Sequence, residues 1–160
     1  MDIEERSRKA REFFRDGYNC CQSVLLAFQD IIGLPEDRIA TLGSGFGGGM
    51  GRLREVCGAM SAMVFLAGVI CPAADPADRK RKTENYALVQ RFAAEFKEAN
   101  GSIVCRELLQ LRASRTESPA PSERTEQYYT SRPCERIVGN AARIVAEYLD
   151  RREQGRKSRD

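Results

Sequence analysis

The sequence contains no histidine among its 160 residues. Histidine is the side chain that most often transfers protons near neutral pH, and it commonly activates a catalytic cysteine or serves as a metal ligand. Its absence excludes Cys–His dyads, histidine-based acid–base catalysis and mixed Cys/His metal sites. Any metal centre in this chain would have to depend on thiolates.

The chain also lacks a long apolar run. The longest such stretch, residues 56–71, contains two glycines and a serine, and it is shorter than the roughly 18 residues that a membrane-spanning helix needs. We therefore predict a buried core helix here and no membrane insertion. The N-terminal residues alternate in charge and lack the apolar segment of a secretory signal, which predicts a cytoplasmic protein.

The sequence also lacks a large excess of either charge, because the formal net charge is only +3. Residues 151–160 hold five basic and two acidic side chains, so the remainder of the chain is neutral. A neutral body argues against nucleic-acid binding, which needs a stripe of basic residues on a folded face. We expect residues 1–150 to form a single helical domain and residues 151–160 to form a disordered basic tail.

Apolar residues recur with a period near 3.6, and no stretch alternates as a strand would, so the predicted fold class is all-α, a compact bundle of about six to seven helices. A polar segment at 112–132 predicts a flexible loop or a covering flap. The predicted helices cover residues 3–15, 20–32, 35–42, 52–70, 75 or 78 to 99, a segment that carries Cys105, and a final helix that begins at Pro133.

Cysteine is the residue type that suggests chemistry. The six cysteines are Cys20, Cys21, Cys57, Cys71, Cys105 and Cys134. Free cysteine is often simply buried, but in a reducing cytosol a set of six also suggests metal or redox chemistry. Three of them follow predicted helix starts at Asn19, Ser102 and Pro133, whereas Cys57 is predicted inside a core helix.

A helix N-terminus favours the thiolate over the thiol, but only modestly. The helix dipole contributes about 0.3–1 kcal/mol, or about 2 kcal/mol when partly buried, which lowers a thiol pKa near 8.5 by at most about 1.5 units. A strongly reactive thiolate therefore needs further help from a metal, a bound partner, or a nearby arginine such as Arg106, Arg132 or Arg136.

A glycine-rich turn at residues 43–51 precedes the predicted core helix. Its spacing formally matches G-x-G-x-x-G, but no strand precedes it, so it is not a dinucleotide-binding fingerprint. The turn either allows a tight crossing of two helices or lets backbone approach an anion or cofactor. On the second interpretation, Gly47, Gly48, Gly49 and Gly58 are candidate cofactor-binding residues.

Four segments of the chain resemble a family of putative redox-active proteins named C_GCAxxG_C_C after its cysteine and glycine pattern. The matching segments are NCCQSV at 19–24, GFGGG at 45–49 leading into EVCGA at 55–59, GSIVCREL at 101–108, and Cys134. The resemblance implies that Cys20, Cys57, Cys105 and Cys134 are the family's four cysteines, and that Cys21 and Cys71 are additional. Ala62 stands where the family pattern ends in glycine.

Three hypotheses follow. In the first, the four cysteines are catalytic in thiol/disulfide exchange or electron transfer, as in a thiol-dependent oxidoreductase that acts on a redox partner protein or a small-molecule thiol. In the second, the same four thiolates hold zinc or an iron–sulfur cluster. In the third, the chain is a helical scaffold with structural cysteines. We also expect a homo-oligomer, most simply a dimer.

Overall fold

A computed structural model describes residues 1–112 and 117–158, and apart from one isolated β-bridge and a short 3-10 turn at residues 44–46 its regular structure is α-helical. The all-α prediction is confirmed. The helices are α1 (Ile3–Arg15), α2 (Cys20–Leu26), α3 (Gln29–Ile32), α4 (Glu36–Gly43), α5 (Gly47–Met50), α6 (Gly58–Ile70), α7 (Arg79–Asn100), α8 (Cys105–Leu108), α9 (Glu126–Ser131) and α10 (Cys134–Lys157).

Polar side chains cap the helices whose starts were best predicted. The Asp2 carboxylate accepts a hydrogen bond from the backbone N–H of Glu5 at the start of α1. Asn19 and Gln22 form a reciprocal capping box at the start of α2, which satisfies two backbone donors that the helix leaves unpaired. Gly101 ends α7 in the left-handed conformation, as glycine after a helix commonly does.

Helix α2 ends earlier than predicted. The prediction of one helix over 20–32 is wrong, because Phe28 leaves the helical conformation and α3 begins after it. The carbonyl of Ala27 accepts a hydrogen bond from the Arg6 guanidinium at 2.6 Å. This long-range bond takes the place of an intrahelical one at the break.

The predicted helix over 52–70 is also wrong in its first turn and a half. Met50, Arg52 and Arg54 have φ values of 68°, 69° and 60°, which a right-handed helix cannot accommodate. The chain then becomes extended, and Val56 pairs with Val104 in the β-bridge. Cys57 is therefore the residue before α6, at its start, and not a residue of the helix interior.

The apolar core lies between the long helices. Helix α1 packs on α10, α2 packs on α1, α4, α6 and α10, and α6 packs on α7. The largest fully buried side chains include Phe14, Phe28, Phe92, Phe96 and Met63. Because α2, α6 and α10 all contact one another, the cysteines at their starts are carried by one packed unit.

The C-terminal tail differs from its prediction, whereas the 112–132 segment follows one of its two predicted alternatives. Residues 151–157, predicted as disordered, continue α10, where Arg152 donates a hydrogen bond to the Ile70 carbonyl at 2.9 Å. In the 112–132 segment, the Arg124 guanidinium lies 4.5 Å from the Phe14 ring centroid and 4.7 Å from that of Tyr128. The described part of this segment thus packs on the helices as a covering flap.

Among the residues that the structure describes, no helix is both long and apolar enough to cross a membrane.

Candidate functional site

The thiols of Cys20 and Cys134 interact directly at the starts of α2 and α10. The Cys20 thiol acts as a hydrogen-bond donor to the Cys134 sulfur, and this interaction is the main reason that the pKa of Cys134 is lowered to about 7. Burial opposes the shift, while the positive charges of Arg132, Arg124 and Arg54 add to it. The same contact, followed by burial, raises the pKa of Cys20 well above that of a free thiol.

Helix geometry supports a thiolate at Cys134. The residue is the first of a 24-residue helix, where unpaired backbone N–H groups and the helix dipole favour negative charge. Pro133 precedes it. Proline lacks an N–H, but an N–H at a helix start has no partner within the helix, so no hydrogen bond is lost there. Cys134 is also partly exposed, so a reagent can approach it.

Cys57 is a buried thiol at the start of α6. Burial raises its pKa to about 12, and the nearby backbone N–H groups of Ala59 and Met60 oppose the rise. Cys57 therefore stays protonated near neutral pH.

Cys105 faces Cys57 across the β-bridge. The backbone N–H of Cys57 donates to the Ile103 carbonyl at 2.8 Å, and that of Cys105 donates to the Glu55 carbonyl at 2.6 Å. Because successive side chains of an extended chain alternate between faces, Cys57 and Cys105 point to the same side of the bridge. They are diagonal neighbours, and in an antiparallel pair diagonal neighbours lie about 7–8 Å apart.

A buried arginine contacts Cys105. Arg54 is only 8% exposed, and its guanidinium lies 3.8 Å from the Cys105 sulfur. Two further hydrogen bonds, at 3.0 and 2.6 Å, join the same guanidinium to the Glu117 carboxylate of the flap. Burial raises the pKa of Cys105, and the contact with Arg54 opposes that rise.

The structure brings the four predicted cysteines into one electrostatic group. Negative charge on Cys57, Cys134 or Cys105 raises the pKa of Cys20, and Cys134 has the same effect on Cys57 and Cys105. All four lie at helix starts, including Cys57, which we had predicted inside a helix.

The two remaining cysteines have different environments. Cys21 is buried, and burial raises its pKa to about 12, so it belongs to the core behind the group. Cys71 follows the last residue of α6, at the opposite end of the helix from Cys57. It takes no part in the group.

Three glycines let the cysteine-bearing segments approach one another. A side chain at Gly49 would place its Cβ 2.6 Å from the Cys105 Cβ, and one at Gly58 would lie 2.7 Å from the Phe46 carbonyl oxygen and 3.3 Å from the Cys20 Cβ. At Gly47 the added Cβ would lie 2.8 Å from that of Asn19. We predicted cofactor contacts here, but protein atoms fill the space next to each of these glycines.

Gly48, the fourth glycine of the prediction, lies beside the side chains of Arg52 and Arg54 and has a φ of +65°. Its conformation is needed for the turn that leads into the strained segment with Arg54. This glycine thus contributes indirectly to the position of the Arg54 guanidinium at Cys105.

The arrangement of the described cysteines and carboxylates bears on the prediction of a metal site. Within residues 1–112 and 117–158, no three Cys, Asp or Glu side chains are arranged to hold a metal ion. A tetrahedral thiolate site needs sulfurs about 2.3 Å from the metal. The binding of zinc or an iron–sulfur cluster stays a prediction.

Sequence reasoning identified the cysteines but missed most of the surrounding charges. Of the three arginines proposed from proximity in sequence, only Arg132 contributes to the low pKa of Cys134. Arg54 and Arg124 were missed because tertiary structure brings them to the site. Ser102 was predicted to cap α8, but Val104 precedes that helix, and Ser102 instead accepts a hydrogen bond from the Val104 backbone N–H at 3.0 Å.

The fold and site together define an all-α protein with four thiols clustered at helix N-termini. The family model described as "Putative redox-active protein (C_GCAxxG_C_C)" matches residues 18–148. The chain belongs to this family. Neither the comparison with curated proteins nor the comparison with solved structures finds a match.

Proposed function

We propose that this protein is a thiol–disulfide redox protein in which Cys134 is the attacking thiolate and Cys20 is the resolving thiol. The observation that carries the proposal is the pair itself. Cys134 has a pKa of about 7 at the start of a long helix, with the Cys20 thiol beside it as hydrogen-bond donor. A thiol with a pKa near the ambient pH combines a large thiolate fraction with good nucleophilicity.

The reaction starts from the reduced protein and a disulfide substrate. The Cys134 thiolate attacks one sulfur, a new S–S bond joins it to the substrate, and the other half leaves as a thiolate that takes up a proton. Cys20 then loses its proton and attacks the Cys134 sulfur. The products are a Cys20–Cys134 disulfide and two substrate thiols, so two electrons have passed from protein to substrate.

Cys57 and Cys105 serve in this proposal as a second thiol pair. Burial keeps both protonated, and they lie on one face of the bridge beside the first pair. Exchange with the Cys20–Cys134 disulfide would leave one disulfide and two thiols in the protein, with no net gain or loss of electrons. Because diagonal neighbours lie about 7–8 Å apart, a Cys57–Cys105 disulfide would require a local shift of the backbone.

Disulfide mapping of the folded protein tests the proposal. The reduced protein is treated with a small neutral disulfide, and the linkages are identified by mass spectrometry without reduction. We expect two thiols to be lost first, with Cys20 linked to Cys134. Cys134→Ser should prevent this loss, and Cys71→Ser, at a cysteine outside the group, is the matched control that should retain it.

Two results would contradict the proposal. The first is a folded protein in which all six thiols stay reduced under these conditions. The second is a Cys134→Ser variant that forms disulfides as fast as the Cys71→Ser control. Anaerobic purification with metal analysis, run in parallel, addresses the alternative prediction of a bound metal or cluster.

A further inference from the structure

A large cleft opens beside the cysteine group. Its volume is about 1360 Å³, and five arginines line it: Arg52, Arg54, Arg106, Arg112 and Arg132. Residues of the 51–55 segment form one wall, and the end of the flap and the residues just before α10 form another.

The lining carries an excess of positive charge. Within the part of the chain that the structure describes, the acidic residues of the lining are Glu55 and Glu117. Glu117 forms ion pairs with Arg52 at 3.0 Å and with Arg54 at 2.6 Å, and Glu55 pairs with Arg106. Two carboxylates cannot neutralise five guanidinium groups. A cleft with a positive lining concentrates anions and speeds their encounter with the protein.

The cleft borders the segments that carry two of the thiols. Arg132 and Pro133 line it and directly precede Cys134 in the chain. On the opposite wall, the Arg54 guanidinium contacts the Cys105 sulfur. A molecule held in the cleft would therefore contact residues that adjoin Cys134 and Cys105.

The cleft also contains exposed apolar side chains and is too large for a compact metabolite. Leu53 is 69% exposed and Leu111 is 41% exposed, and both line it. Small-molecule sites usually measure about 300–1000 Å³. A ligand with carboxylates and apolar groups spread over several residues matches this surface, and an acidic peptide segment has that chemistry.

We propose that this cleft docks an acidic, partly apolar segment of a partner protein and presents that partner's disulfide to Cys134. The role of the docked segment rests on the thiol–disulfide function proposed above. Guanidinium groups bind the carboxylates of the segment, and the two leucines contact its apolar side chains. The partner is a protein because a short organic disulfide would leave most of the cleft in contact with water.

Peptide binding tests the docking separately from the chemistry. The probes are three labelled peptides of equal length with alternating leucine and Glu, Gln or Lys, each with serine in place of cysteine, and binding is followed by fluorescence anisotropy. We expect the Glu peptide to bind at least about tenfold more tightly than the Gln peptide at low salt, and the Lys peptide not to bind. The preference should weaken as salt rises, because the Debye length shrinks to about 10 Å at 0.1 M.

A charge reversal assigns the binding to the cleft. Arg112→Glu should weaken the binding of the Glu peptide about fivefold or more, since it replaces an attraction with a repulsion. Arg81→Glu is the matched control on the exposed surface of α7, where Arg81 is paired with Glu84 at 3.3 Å, and it should leave the affinity unchanged. Circular dichroism confirms that both variants are folded.

Competition decides between occupants. Displacement of the Glu peptide by dithiodipropionate, a small anionic disulfide, at equal concentration would overturn the proposal in favour of a small-molecule site. Stronger displacement by a single-stranded oligonucleotide would overturn it in favour of nucleic acid. Equal binding of the Glu and Gln peptides, or an unchanged affinity in Arg112→Glu, would also refute it.

An exchange assay with disulfide-bearing peptides distinguishes this proposal from the thiol–disulfide function on which it rests. The same three peptides, now with one cysteine as a neutral pyridyl disulfide, are mixed with reduced protein, and the released thiopyridone is measured. Exchange at equal rates with all three peptides would refute docking and leave the redox function standing. Selective binding of the Glu peptide without exchange at Cys134 would support docking and contradict the redox function.

Discussion

Replacement of Cys20 by alanine should make Cys134 a much poorer nucleophile at neutral pH. The interaction with the Cys20 thiol is the largest cause of the lowered pKa of Cys134, which falls from 9.0 to about 7. Those two units correspond to about 3 kcal/mol of preference for the thiolate. If Cys20 supplies at least half of that preference, the pKa of Cys134 rises by at least about one unit in Cys20→Ala.

The sign and size of the rate change follow from the thiolate fraction. With a pKa of about 7, Cys134 is half ionised at pH 7, and with a pKa one unit higher only about a tenth of it is ionised. The alkylation rate at pH 7 should therefore fall about fivefold. In the native protein the rate should rise with pH and level off above about pH 7, whereas in Cys20→Ala it should continue to rise towards pH 9.

The assay is the rate of iodoacetamide labelling of the Cys134 peptide, measured by mass spectrometry between pH 5 and pH 10. Cys20→Ser is the matched control, because a serine hydroxyl can still donate a hydrogen bond to the Cys134 sulfur. It should keep most of the low pKa that Cys20→Ala loses. A native Cys134 that titrates near pH 9, or identical profiles in the alanine and serine variants, would show that this reasoning is wrong.

Three further predictions concern the packing around the thiols. Gly49→Ala should lower the free energy of unfolding by about 2–5 kcal/mol, because its φ is +69° and the new Cβ would meet Cys105. Gly45→Ala, where an added Cβ has nothing within 4 Å, should leave the melting temperature nearly unchanged, and equal melting temperatures of the two variants would refute this prediction. Asn19→Ala should cost about 1 kcal/mol in denaturant unfolding through loss of the capping box, and an unchanged midpoint would argue against it. Cys71→Ala should leave the labelling rate of Cys134 unchanged, since Cys71 lies at the other end of α6, and a slower rate would place it in the group.

The sequence predicts helices best where a polar cap and an apolar period agree. Helix α1 was predicted at its observed bounds, and α7 begins one residue after Asp78, one of its two predicted starts. The predicted start of the helix over 52–70 was wrong because the apolar period continued by chance upstream of α6, through Leu53 and Cys57. No side-chain cap precedes Arg52 in the sequence, and that absence was the available warning.

The cysteine pairs depend on contacts that no local pattern contains. The bridge joins Val56 to Val104, which lie 48 residues apart in the sequence. It places Cys57 and Cys105 on the same side of the paired segments. Arg54 is a charged residue within a polar stretch, and its burial depends on Glu117, 63 residues away. Sequence alone could therefore name the four cysteines from the resemblance, but it could not pair them or find their charges.

The electrostatics of the group give the four thiols an order of action. Like charges close together repel, so one thiolate in the cluster opposes a second, and the charges of Arg132, Arg124 and Arg54 favour Cys134 as the site of the first. While Cys134 is a thiolate, its charge raises the pKa of Cys20, so Cys20 stays protonated. Once Cys134 enters a mixed disulfide it is neutral, and the main cause of the high pKa of Cys20 is gone. In the proposed reaction, loss of that charge favours attack by the Cys20 thiol after the first sulfur has reacted.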